Sequence, residues 1–155
     1  MPSRRDQITM TPEEITAFLN EERTITVGSI NADGTPHLTA MWFAYIDDTI
    51  RFWTFAKSQK VVNLRRDPRA TVLCEAGETY EELRGVSMTG PVEVVDDHDR
   101  VIEFGFAVHE RYWGNSGDPD ETREAVEKIG AKRVLVVLTP QKIASWDHRK
   151  LGGTY

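Results

Sequence analysis

The chain has 155 residues, 39% of them hydrophobic, and a formal net charge of −6, enough apolar material for one globular domain with a real core. That acidic balance excludes a general nucleic-acid binder, which needs an overall basic footprint. A single cysteine, Cys74, excludes an internal disulfide framework. The polar opening Met1-Pro-Ser-Arg-Arg-Asp-Gln7 and the strand-length apolar runs resemble neither a signal peptide nor a membrane span, so a cytoplasmic protein without a membrane partner is expected.

Residues 1–9 read as a flexible lead-in. Thr11-Pro12-Glu13-Glu14 then opens a helix: Thr11 caps, Pro12 takes the first position and acids fill the first turn. Ile15, Phe18 and Leu19 follow at helical spacing. Thr24 to Ile30 is rich in β-branched residues and reads as a strand, and Asn31-Ala-Asp-Gly34 supplies a hairpin turn. From Pro36 to Ile46 the chain alternates as one strand. Leu38, Ala40, Trp42, Ala44 and Ile46 share one face; His37, Thr39, Met41, Phe43 and Tyr45 share the other. Both faces carry large apolar groups, so both are expected to be covered, one by the core and one by a partner or ligand.

Asp47-Asp48 turns the chain into a second hairpin strand, Ile50 to Phe55. Lys57-Ser-Gln-Lys60 leads from it into a short helix that Asp67-Pro68 ends. Ala70 to Glu75 is a strand, and 77–83 is acidic and irregular. Val86 to Val95 restores the two-residue period, with Gly90-Pro91 marking a bulge or an edge. Asp96 or Asp97 caps a longer helix with the stripe Val101, Phe104, Val108 and Tyr112. Asp118-Pro119 starts another, which Gly130 stops. Arg133 to Leu138 is a buried strand, and Lys142 to Trp146 a final short one. Hairpins dominate, so the fold class is mainly β: a small antiparallel barrel with peripheral helices, forming one domain over 1–155. No Gly-x-Gly-x-x-Gly turn follows a strand, which argues against a Rossmann dinucleotide site.

The chemistry concentrates between Lys57 and Arg69. That segment holds five basic residues and one acid, whereas the remainder holds fourteen basic and twenty-four acidic. Lysines beside a serine-capped helix start suit a phosphate, because the amides and the charge converge on an anion. Trp53 lies four residues earlier on an aromatic strand and can line the pocket of a planar ring. Elsewhere the bland reading prevails. His37, His98, His109 and His148 share no short metal-ligand spacing, and one cysteine builds no structural zinc site. Ser58 lacks a nucleophile-elbow context, and Glu78, Glu81 and Glu82 read as a solvated face.

Three segments carry a resemblance: Pro36-His-Leu-Thr-Ala-Met-Trp42, Ala56-Lys-Ser-Gln-Lys-Val-Val-Asn-Leu-Arg-Arg-Asp-Pro-Arg69, and Leu83-Arg-Gly-Val-Ser-Met-Thr-Gly90. Together they resemble the pyridoxamine 5'-phosphate oxidase-like split β-barrel family. Within it they are most like the actinobacterial coenzyme F420-dependent (deazaflavin) reductases, and Ser145-Trp-Asp-His-Arg-Lys-Leu-Gly152 is similar to the same subgroup. The likeness runs over roughly residues 10 to 152.

The resemblance implies an FMN-binding split barrel that forms a homodimer with cofactor sites at the subunit interface. It implies hydride transfer from reduced coenzyme F420 to an electron-poor or conjugated small-molecule acceptor. An FMN-dependent oxidase or reductase, or a non-catalytic cofactor-binding protein, is the alternative. Carried over by position, Ser58, Gln59 and Lys60 hold the cofactor phosphate with Lys57 adding charge, and Trp53 and Thr54 run along the cofactor. Thr39, Ala40, Met41 and Trp42 face the ring system, while Trp146 and Arg149 reach the partner's site. Gln59 stands where the oxidases place an arginine, which weakens the oxidase assignment. An oligoglutamate tail on the deazaflavin rewards cations beyond the phosphate, and Arg65 is the site residue expected to meet it, with Arg66 and Arg69 as further candidates.

Overall fold

A computed structural model describes residues 1–153. Its elements in chain order are α1 (Arg4–Ile8), α2 (Pro12–Glu21), β1 (Ile25–Ile30), β2 (Pro36–Met41), β3 (Ala44–Ile46), β4 (Thr49–Phe55) and α3 (Gln59–Arg66). They continue with β5 (Arg69–Ala76), β6 (Arg84–Val95), α4 (His98–Trp113), α5 (Pro119–Gly130), β7 (Arg133–Leu138) and β8 (Lys142–Asp147). All strand pairs are antiparallel, in the order β2-β1-β5-β6-β7-β4-β3, with β8 also on β6. The sheet curls into a split barrel with the helices outside. None of the described helices is long and apolar enough to cross a membrane.

Local chemistry accounts for most boundaries. Thr11 Oγ1 accepts from the Glu14 amide at 3.2 Å while Glu14 Oε2 accepts from the Thr11 amide at 2.7 Å, the reciprocal capping box that fixes the start of α2. Within the segment expected to be a flexible lead-in, Ser3 and Asp6 make the same box around α1. Gly34 adopts φ +86 in the β1–β2 hairpin, as the Asp-Gly signal requires. Asp47 and Asp48 both take positive φ in the β3–β4 hairpin, and aspartate tolerates that region better than bulkier residues. Asp97 caps α4 and Asp118 caps α5. Gly130 is the last residue of α5, but its role is spacing: a Cβ there would stand 2.5 Å from Ile102 Cδ1.

The largest departure from the sequence pattern is at Trp42-Phe43. The expected single strand from 36 to 46 is two strands with different partners, β2 on β1 and β3 on β4. The alternation survives the break, which is why the pattern does not reveal it. Met41, Phe43 and Tyr45 belong to the barrel core, and Ala44 and Ile46 pack under α4. The Tyr112 phenol holds the break open: its oxygen accepts from the Phe43 amide at 3.0 Å and lies 2.7 Å from the Arg23 carbonyl. Half of the second face is thus covered by the chain's own α4, while Leu38 stays exposed.

Two apolar layers result. One fills the barrel with Phe52, Ile50, Val27, Val86, Met88 and Leu138, sealed by Phe18 and Leu19 of α2. The other lies outside β4 and β7, where Val101, Phe104 and Val108 of α4 meet Leu135 and Trp53. Strands β4 and β7 are therefore covered on both faces, one by the barrel and one by helix. Cys74 sits in the first layer with its thiol pushed up to about 12 by burial, so it is protonated and unreactive at neutral pH.

The C-terminal end is tied down by charge. Asp147 accepts from Arg149 Nη2 at 2.7 Å and Nε at 2.9 Å, and Lys150 Nζ donates to Glu14 at 2.6 Å. Hydrogen bonds from Arg149 lower the Asp147 pKa, and Lys150 lowers that of Glu14. A depressed carboxyl contributes stability that is complete above its unfolded value, about 4, and is lost as pH falls through the folded one. Asp147→Asn is expected to cost about 1–2 kcal/mol at pH 7 and to melt with wild type at strongly acidic pH. Thermal melts across that range check it; a constant gap at every pH would contradict it.

Candidate functional site

Strand β4 delivers aromatic side chains to alternate faces. Phe52 and Thr54 point into the barrel, whereas Trp53 packs edge-on against Phe104 of α4 and Phe55, on the same face, stays exposed. At its end the chain turns through Ala56-Lys57-Ser58 into α3, and Ser58 takes the cap position with φ −68 and ψ 155. The expected cap bond is missing. The Ser58 hydroxyl is buried and has no hydrogen-bond partner. A buried hydroxyl without a partner costs free energy, and a site built to take an anion leaves such a donor waiting.

The cations of the basic segment divide sharply. Lys60 is buried and donates to Thr54 Oγ1 at 3.1 Å; desolvation first, and Arg133 second, lower its pKa. No acid neutralises it among the described residues. Lys57 is exposed beside it and likewise makes no ion pair among them. Arg65, by contrast, is bound by both its terminal nitrogens to Asp96 at 2.7 and 3.2 Å. Arg69 is held by Asp67, and Arg66 donates to the Ile30 carbonyl and to Asn63. Gln59 also turns to Asn63, at 2.8 Å, and the buried Asn63 amide links α3 to Ser29 and Asn31. Ser58, Lys60 and Lys57 are thus the polar groups of the turn left without an acidic partner among the described residues. The three arginines expected to meet a tail are engaged by the protein.

On the helix face of β4 lies a cavity of about 260 Å³, between β4, the end of β2, and the α4–α5 pair. Ala40, Met41, Trp42 and Trp53 line it, together with Gly105, Val108, His109 and Trp113 of α4, Ile129 of α5, and Arg133. Trp42 stacks on Tyr112 with ring centroids 4.2 Å apart and meets Trp113 edge-on at 5.1 Å. Gly105 gives Trp53 its place, since a Cβ there would come within 2.6 Å of the indole.

Of the other residues expected at the site, Thr39 lies next to the cavity with a buried, unpartnered hydroxyl, and Thr54 lies beneath, holding Lys60. Trp146 and Arg149 do not join the cavity of their own chain. Trp146 seats on Gly85 of β6, and Arg149 is bonded to Asp147. Arg133, His109 and Trp113 also line the cavity, and the sequence pattern does not single them out. The available signals were an arginine opening an otherwise apolar strand, and His109 and Trp113 one helical turn apart on the face next to the Val108 stripe.

The geometry is that of a split barrel with a basic turn after β4 and an aromatic cavity on the helix face of that strand. Residues 11–147 match the family model for pyridoxamine 5'-phosphate oxidase, and the chain belongs to that family. A solved structure of a conserved hypothetical protein from Mycobacterium tuberculosis is 47% identical, with a TM-score of 0.91 over 99% of this chain and 95% of that one. A biliverdin reductase dependent on reduced coenzyme F420, from Mycobacterium tuberculosis (strain CDC 1551 / Oshkosh), is 28% identical over 125 residues, 79% of this chain and 85% of the relative. The pyridoxine/pyridoxamine 5'-phosphate oxidase of Cupriavidus necator is 31% identical over 93 residues, 59% of this chain; the match spans 42% of that longer relative.

Proposed function

We propose that this chain is a deazaflavin (coenzyme F420)-dependent oxidoreductase that passes hydride to an electron-poor or conjugated small molecule. The observation that carries this reading is the unanswered polar turn: the Ser58 hydroxyl and the Lys60 ammonium, buried without acidic partners among the described residues, at the end of the strand whose Trp53 lines an aromatic cavity. A cofactor with a phosphate at one end and a flat ring system at the other fits that pairing. The mycobacterial reductase relative favours the deazaflavin over FMN, as does Gln59 at the position where the oxidases carry arginine.

Bound there, the cofactor supplies the hydride, which is chemistry no side chain provides. Ser58, Lys60 and Lys57 would hold its phosphate by charge-assisted hydrogen bonds. Trp53 and Trp42 would fix the plane of the flat bodies in the cavity and keep water from them. Reduction of a conjugated acceptor also consumes a proton. His109 lines the cavity, and its imidazole makes no hydrogen bond among the described residues, which leaves it available as the proton donor.

The reading includes a cytoplasmic homodimer. Leu38 is 65% exposed on β2 and Ile143 48% on β8, apolar groups that a second copy would cover. Trp146 and Arg149, remote from their own cavity, would then serve the partner's. Light scattering on the eluting protein tests this, with a dimer expected and a monomer contradicting it.

Activity is tested by mixing the protein anaerobically with reduced coenzyme F420 and a panel of quinones, enones and nitroaromatics. Oxidation of the cofactor that depends on enzyme and acceptor together is expected. Tight cofactor binding with no oxidation by any acceptor would make the protein a carrier and overturn the enzymatic reading.

A further inference from the structure

The cavity between β4, β7 and the α4–α5 pair contains a charge that no described residue answers. Arg133 opens β7 on the face that looks towards the helices. Its guanidinium lies 5.2 Å from the Trp53 ring centroid and 4.7 Å from that of Phe55. Its Nε is buried without a partner, and the side chain makes no hydrogen bond or ion pair among the described residues. The contrast with Arg65, Arg69 and Arg149 is plain, since each of those is bound to a carboxylate. The charge that acts on Lys60 from nearby is this same guanidinium, another cation.

Contact with two rings holds the guanidinium in place but provides no acceptor for its N–H groups. A partly buried cation left in that state is costly unless something anionic completes it. The neighbouring walls, Trp42, Trp53, Val108 and Trp113, are apolar or aromatic, so the missing partner must bring its own negative group. This place is distinct from the phosphate cradle. Thr54 and Lys60 occupy the barrel face of β4, whereas Trp53, Phe55 and Arg133 occupy the helix face.

We propose that Arg133 is the anion receptor of the helix-side cavity, which takes a flat conjugated molecule bearing one carboxylate, phosphate or comparable oxyanion. The oxyanion would lie in the guanidinium plane, where two N–H groups converge, with the conjugated body against Trp53. The inference stands apart from the deazaflavin reading, which supplies one of two sources for the anion: an anionic group of the cofactor, or one on the acceptor.

Tryptophan fluorescence titrations with 2-naphthoate and with the neutral 2-naphthalenemethanol separate these sources, run on wild type, Arg133→Leu and Arg133→Lys. If the acceptor carries the anion, wild type prefers the carboxylate by about tenfold or more. Arg133→Leu then loses the preference, and Arg133→Lys, which keeps charge without the planar fork, retains part of it. A second arm titrates coenzyme F420. If wild type shows no carboxylate preference but Arg133→Leu weakens F420 binding about tenfold, the anion is the cofactor's and the assignment of Arg133 still holds. Unchanged affinities for all three probes in both variants, with thermal melts showing them folded, would overturn it. Wild type that prefers naphthoate yet binds no deazaflavin would overturn the proposed function and leave this inference standing.

Discussion

Lys60→Met is expected to raise the melting temperature of the ligand-free protein while weakening cofactor binding about ten- to hundredfold, a loss of about 1–3 kcal/mol. Lys60 is 8% exposed, and its ammonium has one neutral hydrogen-bond partner, Thr54. Burying a charge with no counter-charge costs stability, and methionine fills the same channel without that cost. The gain is set at about 1 kcal/mol because water screens part of the ammonium, which corresponds to roughly 2–4 °C. The pH dependence follows from the lowered folded pKa. Below the lowered folded value the penalty is fully present in wild type. Between the lowered folded value and the ordinary lysine value near 10, the unfolded chain binds more protons, so wild-type stability rises with pH towards that of the variant. Melts with and without coenzyme F420 check both halves. A variant that melts lower at neutral pH and binds the cofactor normally would return Lys60 to a structural role.

Gly90→Ala should damage the fold rather than the site. At Gly90 the long strand β6 passes from pairing with β5 and β8 to pairing with β7. The connection after β7 crosses here, with the Thr139 amide bonded to the Pro91 carbonyl at 3.1 Å and the Gln141 amide to the Thr89 carbonyl at 2.9 Å. An added Cβ would stand 2.0 Å from the Thr139 carbonyl oxygen. That neighbour is backbone held by a bond on either side, so it cannot give way as a side chain would. Overpacking of this kind costs about 2–3 kcal/mol, roughly 5–10 °C in melting temperature. Gly34→Ala, in the open β1–β2 turn, carries only the strain of a positive φ, about 1 kcal/mol. Equal melts for the two variants would show that the crossing at Gly90 is not a tight one.

Much of the architecture was legible because its causes are local. Thr11-Pro12, Asp33-Gly34 and Asp118-Pro119 each set a boundary through groups within a few residues, and the Val101–Tyr112 stripe is written at helical spacing. The change of strand partner at Trp42-Phe43 was not legible, since the alternation continues through it and the cause is the Tyr112 phenol, 69 residues away from Phe43. The same limit separates the basic residues. Nothing within 57–69 distinguishes Arg65 from Lys60, because the carboxylate that holds Arg65 is Asp96, 31 residues further on. Ser58 illustrates the reverse case: the local rule predicts a cap, and the hydroxyl is left without a partner. Local rules fail most often where a site has another use for the group. Arg133 is not legible in the sequence, because an arginine at the start of a strand reads as a solvated end; only the fold puts Trp53 and Phe55 against it.

The direct test of the central claim, that the turn after β4 is the phosphate end of a deazaflavin cleft, is an equilibrium titration of one purified sample with coenzyme F420 and with FMN, each followed by cofactor fluorescence. Micromolar or tighter binding of F420, weaker binding of FMN, and loss of F420 affinity in Lys60→Met are the predicted results. No F420 binding alongside tight FMN binding would contradict the account.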